Sequence, residues 1–103
     1  MKKHTQVYYH YFDYSLEDFV YCELSGQRAV DIHHIEARGV GGSKKEEKIE
    51  NLMALTRELH REFGDITELI PQLQKMHFQF MQTSTPIFDH TPTRKEILEW
   101  KEQ

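Results

Sequence analysis

The first third of the chain is rich in aromatic residues that stand in short runs. Aromatic and β-branched side chains favour extended structure, so residues 6–12 and 19–24 predict two short strands. Residues 25–28 contain a glycine and predict a turn, because glycine readily adopts the positive φ that many reversals need. Residues 28–35 predict a third strand. Together these segments predict a small antiparallel sheet with a pair of histidines at its far end.

A polar loop and one apolar run follow the predicted sheet. Residues 36–51 contain three glycines and a charged run at 44–48, and a loop of this length is usually functional or mobile. The charges of residues 44–48 nearly cancel, which favours a solvated loop and leaves a phosphate-contacting role open. Residues 52–56 are apolar and predict a strand that pairs with residues 29–34.

Apolar positions at helical spacing dominate the rest of the chain. Residues 57–63 predict a helix that stops at Gly64, since glycine is favoured just past a helix end. After a linker that contains two prolines, residues 94–101 predict a short terminal helix.

A longer helix is predicted between these two. Its apolar positions recur every three or four residues up to about Gln82. Pro71 is tolerated only in a first helical turn, which places the start near Glu68, with Asp65 or Thr67 as the expected N-cap. The order of the elements predicts an α+β fold, a small antiparallel sheet closed by C-terminal helices.

The length and composition suit one soluble domain. The chain has 103 residues, of which 38% are hydrophobic and 29% charged. No apolar run approaches the roughly 20 residues that span a bilayer, and no signal peptide is expected at the N-terminus. The single cysteine, Cys22, excludes an internal disulfide and is typical of a reducing compartment. We therefore expect a cytoplasmic protein that does not associate with membranes.

The net charge of −4 argues against broad, non-specific affinity for nucleic acid. Proteins that bind DNA alone usually carry a basic surplus, because phosphate contacts supply most of the affinity. If the chain acts on DNA, its binding to DNA must be local, weak, assisted by a metal or supplied by a partner.

The histidines carry the candidate chemistry. His33 and His34 lie in a predicted strand and His60 in a predicted helix, while Asn51 follows the glycine-containing loop. A strand and a helix that both deliver imidazoles suggest a metal site with a catalytic base beside it. The other histidines have no such partners in the sequence and are assigned to packing or to the surface: His4, His10, His77 and His90.

Four segments in this order resemble the motif of the HNH endonucleases, also called ββα-metal or His-Me finger nucleases. They are residues 31–35 (DIHHI), 41–42 (GG), 50–52 (ENL) and 59–60 (LH). The resemblance covers about residues 21–65, and residues 66–103 form a helical extension. The ordered set is fairly specific, although each piece alone is weak.

The resemblance implies a role for each residue. His33 and His60 would ligate a divalent cation, His34 would be the general base, and Asn51 would brace the loop and orient that base. A neutral imidazole is well suited to take a proton from water near pH 7. A cation can hold the scissile phosphate and the departing 3′ oxygen. The arginines that can reach phosphate oxygens are Arg38, Arg57 and Arg61.

The sequence departs from the family at the cysteines. Many relatives carry two Cys-x-x-Cys pairs that bind a structural zinc. The corresponding segments here are Cys22-Glu-Leu-Ser25 and Thr56-Arg-Glu-Leu59, in which three of four thiolates are absent. We expect no structural zinc, because a tetrahedral site needs four ligands. Leu59 and the aromatic N-terminal segments are expected to fill that space.

The ligand set is also reduced. Gly64 stands where relatives often carry a third histidine, so the protein would supply two ligands and water the remainder. Such a sparse site suits Mg²⁺, which keeps most of its waters, and imidazole ligands also admit Mn²⁺, Co²⁺ or Ni²⁺.

The function expected from the resemblance is a small metal-dependent endonuclease that leaves 5′-phosphate and 3′-hydroxyl ends. An alternative is a catalytically weak or inactive module of the same fold that binds DNA or protein. A more remote alternative is an interaction protein whose histidines bind a regulatory metal. Because the chain is short and acidic, we expect a homodimer or a partner protein to help select the DNA target. Relatives of this size frequently belong to phages or mobile elements.

Overall fold

Two short antiparallel strands lie at the centre of the structure, a computed structural model that describes residues 1–36 and 47–102. Strand β1 (Asp31–His34) pairs with β2 (Leu52–Leu55), so that His33 lies opposite Met53 and His34 opposite Leu52. The predicted pairing of residues 52–56 with residues 29–34 is therefore confirmed. The sheet and the helices around it give the predicted α+β fold.

Four α-helices and two 3₁₀ helices surround the sheet in the described residues. The α-helices are α1 (Lys3–Tyr11), α2 (Arg57–Phe63), α3 (Ile70–Thr83) and α4 (Arg94–Glu99), and the 3₁₀ helices are Ile49–Asn51 and Thr67–Leu69. None of the described helices has the length and apolar character needed to cross a membrane.

Strand β2 is buried on both faces, which explains its unbroken apolar sequence. Side chains alternate between the faces of a strand, so Leu52 and Ala54 point one way and Met53 and Leu55 the other. The first pair packs in a cluster with Tyr8 of α1. The second pair packs with side chains from α2, α3 and α4. The sheet therefore separates α1 from α2.

The predicted strand at residues 6–12 is wrong, because this segment forms α1. Tyr8 is fully buried, and its ring lies 4.7 Å from that of Phe12, four residues later on the same side of the helix. The aromatic residues do favour extended structure. In this segment, however, the helix is what buries Tyr8 against the sheet and places Phe12 beside it. Tertiary packing overrides local preference here.

The predicted strand at residues 19–24 is reduced to one isolated bridge between Tyr21 and Arg28. The backbone then turns, as predicted for residues 25–28, and Gly26 adopts a φ of +76°. Gly26 N donates to the carbonyl of Cys22 over 2.9 Å. These turn hydrogen bonds replace the strand ladder and bring Glu23 into the interior, where it is fully buried.

Helix α2 matches its predicted bounds. Thr56 is its N-cap and accepts a hydrogen bond from Leu59 N over 3.2 Å. Leu59 is fully buried in the core with Cys22, as predicted, but the aromatic N-terminal residues pack in the other cluster with Leu52 and Ala54 and do not fill this space. Thr56 and Leu59 thus stabilise the start of the helix, the first by capping and the second by packing.

The start of α3 differs from its prediction. A 3₁₀ turn precedes the helix, its N-cap is Leu69, and no side chain caps it, so Asp65 and Thr67 do not have the predicted role. Pro71 does lie in the first turn, where its missing N–H costs nothing. Helix α4 ends at Glu99, two residues before the predicted end.

A buried polar network connects the layers. The Glu23 carboxylate accepts hydrogen bonds from Tyr8 Oη over 2.5 Å and from Ala54 N over 3.3 Å. Its other oxygen lies 2.6 Å from His77 Nδ1, and His77 Nε2 donates to the Ile49 carbonyl over 2.6 Å. The network joins α1, β2, the 3₁₀ helix at Ile49 and α3, which fixes the position of α1 against the sheet. His77 is thus a packing histidine, as predicted.

Candidate metal centre and catalytic base

The adjacent histidines of β1 point to opposite faces of the sheet. His33 faces α2, and its ring centroid lies 4.7 Å from that of His60. His34 faces α1, and its ring centroid lies 4.7 Å from that of His4. The two-residue repeat of a strand explains this separation, since neighbouring side chains cannot share a face. The structure therefore brings His33 and His60 together and places His34 in a different environment.

His33 has the properties of an unprotonated ligand. It is buried, with 5% of its surface exposed, and its Nε2 has no hydrogen-bond partner among the described residues. Burial, followed by the nearby His60 and His34, lowers the pKa of His33 to about 4. A buried nitrogen without a partner is costly unless something binds it. A divalent cation between His33 and His60 fits this arrangement.

Asp31 holds the second imidazole of the pair. His60 Nδ1 lies 3.2 Å from Asp31 Oδ2, so the carboxylate accepts a hydrogen bond from the protonated Nδ1. The lone pair of the ring is then on Nε2. Carboxylates commonly fix metal-binding histidines in this way. Arg57 Nε lies 3.8 Å from the same Asp31 oxygen.

Gly64 provides room for the two rings. A Cβ at this position would lie 2.4 Å from the His60 carbonyl oxygen, 2.8 Å from His60 Cδ2 and 3.3 Å from His33 Cε1. Gly64 follows the end of α2, as predicted, but its φ is −62°, which any residue can adopt. A glycine is needed at this position because a larger side chain would collide with the imidazoles, and not because the backbone is left-handed.

Substitution of Gly64 by alanine is expected to weaken cation binding by about 10–100-fold, the range seen when the support of a ligand is lost. The new methyl group would force the His60 carbonyl and both rings to move. Calorimetric titration with Mn²⁺ measures the effect. Gly26→Ala is the matched control, because it strains a turn that contacts Pro86 and leaves the rings untouched. Equal Mn²⁺ affinity in both variants would contradict the prediction.

His34 is held by Glu47. Its Nε2 lies 3.1 Å from Glu47 Oε1, and His4 Nδ1 lies 3.9 Å from the other oxygen of the same carboxylate. A carboxylate accepts but does not donate, so Nε2 carries the proton of a neutral His34 ring. The lone pair is then on Nδ1. This tautomer leaves Nδ1 of His34 able to accept a proton.

Asn51 braces the backbone that follows β1. Its Oδ1 accepts from Glu36 N over 2.8 Å, and its Nδ2 donates to the Glu36 carbonyl over 3.0 Å. Ile35 N donates to the Asn51 carbonyl over 2.9 Å. Asn51 thus fixes the two residues after His34, which matches a bracing role.

The three arginines named from the sequence differ in position. Arg57 is exposed and adjoins the Asp31–His60 pair. Arg61 is exposed on α2, directly after His60. Arg38 lies outside the described residues, as do the two glycines of the motif at 41–42.

A cleft of about 750 Å³ gives solvent access to the candidate centre. Its lining includes His34, His60 and Asp31, together with Lys2 and Lys3. The lysines place positive charge beside the histidines in a chain whose net charge is negative. This local basic wall was not foreseen from the overall composition.

Sequence analysis missed three residues of the centre. Asp31 lies two positions before His33, and the strand repeat alone indicates that they share a face. His4 lies four positions before Tyr8, so it would have been placed beside the sheet if helix α1 had been predicted. Glu47 belongs to a run of charges in which nothing distinguishes it from its neighbours.

The chain matches no protein-family model, and comparison with the curated proteins and with the solved structures also finds no match. The functional assignment therefore rests on the motif and on the arrangement of its residues.

Proposed function

We propose that this chain is a metal-dependent HNH endonuclease that hydrolyses DNA phosphodiester bonds. The observation that carries the proposal is the convergence of His33 and His60, whose rings lie 4.7 Å apart, with His33 Nε2 buried and unpartnered among the described residues. The ββα order of β1, β2 and α2 agrees with the fold that the motif implies. His34 belongs to the same strand as His33 and reaches the cleft.

Each residue of the candidate site has its own proposed role. His33 and His60 would hold a divalent cation, Mg²⁺ or alternatively Mn²⁺, Co²⁺ or Ni²⁺. When bound, the cation would neutralise charge on the phosphate and on the leaving oxygen. His34 would accept the proton of the attacking water at Nδ1, since Glu47 occupies Nε2. Asn51 would keep the backbone after His34 in position.

The cleft supports binding of a phosphate backbone. Lys2 and Lys3 line it together with the histidines, and Arg57 and Arg61 are exposed on α2. These contacts are few, so affinity should depend steeply on salt and remain modest. We propose that target selection comes from dimerisation or from a partner protein in the cytoplasm.

Incubation of the protein with supercoiled plasmid and Mg²⁺ or Mn²⁺ is expected to give nicked or linear DNA, and EDTA is expected to abolish cleavage. His33→Ala and His60→Ala should each lose cleavage and the Mn²⁺ ion held between these two residues, because each removes one of its two protein ligands. Gel analysis of the plasmid measures the first effect and calorimetry the second. Cleavage that continues in EDTA or in either variant would refute the proposal.

A second candidate function is a DNA- or protein-binding module of the same fold that does not cleave. The net charge of −4 and the glycine at position 64, in place of a third imidazole, favour it. Its signature is salt-sensitive retention of DNA, or capture of a protein, with no cleavage in any divalent cation.

A further inference from the structure

A second group of metal-binding side chains lies on the other face of the sheet. His4, His34 and Glu47 each offer one ligand atom, and the three atoms lie within 4.8 Å of one another. They come from α1, from β1 and from the segment before the 3₁₀ helix, so the fold alone brings them together. We propose that these three residues form a second cation site, and that a transition metal bound there blocks the general base.

The donor set fits a transition metal. Two imidazoles and one carboxylate are a set that proteins use for zinc, with bonds of about 2.0–2.2 Å. Such bonds place neighbouring ligand atoms roughly 3–3.5 Å apart in a tetrahedral site. The separations of 3.1 Å from His34 Nε2 to Glu47 Oε1 and of 3.9 Å from His4 Nδ1 to Glu47 Oε2 involve the two different carboxylate oxygens. One ligand atom from each residue lies within 4.8 Å of the others, so the three side chains must move closer together to share one ion.

The site is accessible from solvent. His4 and His34 line the cleft beside Lys2 and Lys3, and all three ligands are partly exposed. The second site offers three protein ligands, enough to hold zinc, cobalt or nickel, whereas the His33–His60 pair supplies two and leaves the remaining positions to water, as Mg²⁺ prefers. The activating cation and the blocking cation can therefore differ.

Binding at this site would remove the base through the tautomer of His34. Without a metal, Nε2 carries the proton that Glu47 accepts, and Nδ1 has the lone pair. A metal ligand must be deprotonated, so a cation on Nε2 moves the single proton of the neutral ring to Nδ1. His34 then has no lone pair with which to take a proton from water.

Zinc titration of the full chain tests the site directly. The wild-type protein is expected to bind two Zn²⁺ ions, one through His33 and His60 and one through His4, His34 and Glu47. His4→Ala and His60→Ala should each bind one. Glu47→Gln is a second variant that should also lose one ion, and thermal unfolding confirms that each variant is folded. A wild-type protein that binds one ion, with no change in His4→Ala, would overturn the site.

Inhibition of DNA cleavage by zinc tests whether a cation at the second site blocks His34. This test rests on the proposed nuclease activity. In Mg²⁺, micromolar Zn²⁺ is expected to inhibit the wild-type protein, while His4→Ala, with its rate expressed relative to its own rate without zinc, should need at least about tenfold more Zn²⁺ for the same fractional inhibition. Loss of a metal-supporting group commonly weakens a site by about 10–100-fold. Equal inhibition of both proteins would show that zinc acts at His33 and His60 and would overturn the blocking role. If neither protein cleaves DNA, the nuclease proposal fails, and the count of bound ions still decides the site.

Discussion

Replacement of His34 by alanine is expected to lower the rate of DNA cleavage by about 10²–10⁴-fold, the usual contribution of a general base. The cation would remain bound, because His33 and His60 lie on the other face of the sheet. The variant should therefore lose kcat while its Mn²⁺ affinity at the first site is unchanged. Single-turnover cleavage of a labelled duplex, together with Mn²⁺ titration, measures both quantities.

The control for this experiment is His10→Ala. His10 also lies on the side of the sheet that carries α1, but it is exposed and does not line the cleft. Its variant should cleave DNA at the wild-type rate. If His34→Ala also cleaves at that rate, His34 is not the base.

Replacement of His77 by alanine is expected to lower the free energy of unfolding by about 3–5 kcal/mol, the usual cost of removing one partner from a buried ion pair. Glu23 is fully buried and would lose its only histidine contact within the described residues, and the Ile49 carbonyl would lose its donor. Urea unfolding, followed by the fluorescence of Trp100, measures the change. His90→Ala is the matched control, because His90 also lies between two carboxylates but is exposed, and no measurable change is expected.

The pH dependence of the free energy of unfolding distinguishes stabilisation by the His77–Glu23 ion pair from stabilisation by packing alone. Burial alone would lower the pKa of His77, but the hydrogen bond and the charge of Glu23 outweigh it and raise that pKa above its ordinary value. The folded state thus binds the proton more tightly than the unfolded state does. The stabilisation is complete below about pH 6.5 and is lost as the pH rises through the raised pKa. The urea midpoint of the wild type should therefore fall as the pH rises above about 6.5. A similar fall in His77→Gln would show that other groups cause it.

The local elements near the candidate centre could be predicted from the sequence. The apolar run at β2 and the helical spacing from Arg57 to Phe63 specify a strand and a helix through interactions between near neighbours. Two histidines at adjacent strand positions necessarily point to opposite faces. These patterns were sufficient to predict the α+β fold and the pairing of β1 with β2.

The N-terminal segment could not be predicted in the same way. Aromatic side chains favour strands only when a sheet offers them a place, and here the sheet has two strands among the described residues, which leaves the segment outside it. The helix is stabilised by burial of Tyr8 and by the hydrogen bond that Tyr8 donates to Glu23, fifteen residues away. No window of neighbouring residues contains that information.

The sequence by itself determined the two strands, the helix after them and the set of imidazoles, because strand and helix periods act within a few residues. The tertiary structure decided which side chains accompany each imidazole. Asp31 and Gly64 fix the His33–His60 pair, while His4 and Glu47 surround His34. These contacts mostly join residues separated by many positions, and they form only when α1 and α2 pack on opposite faces of one small sheet.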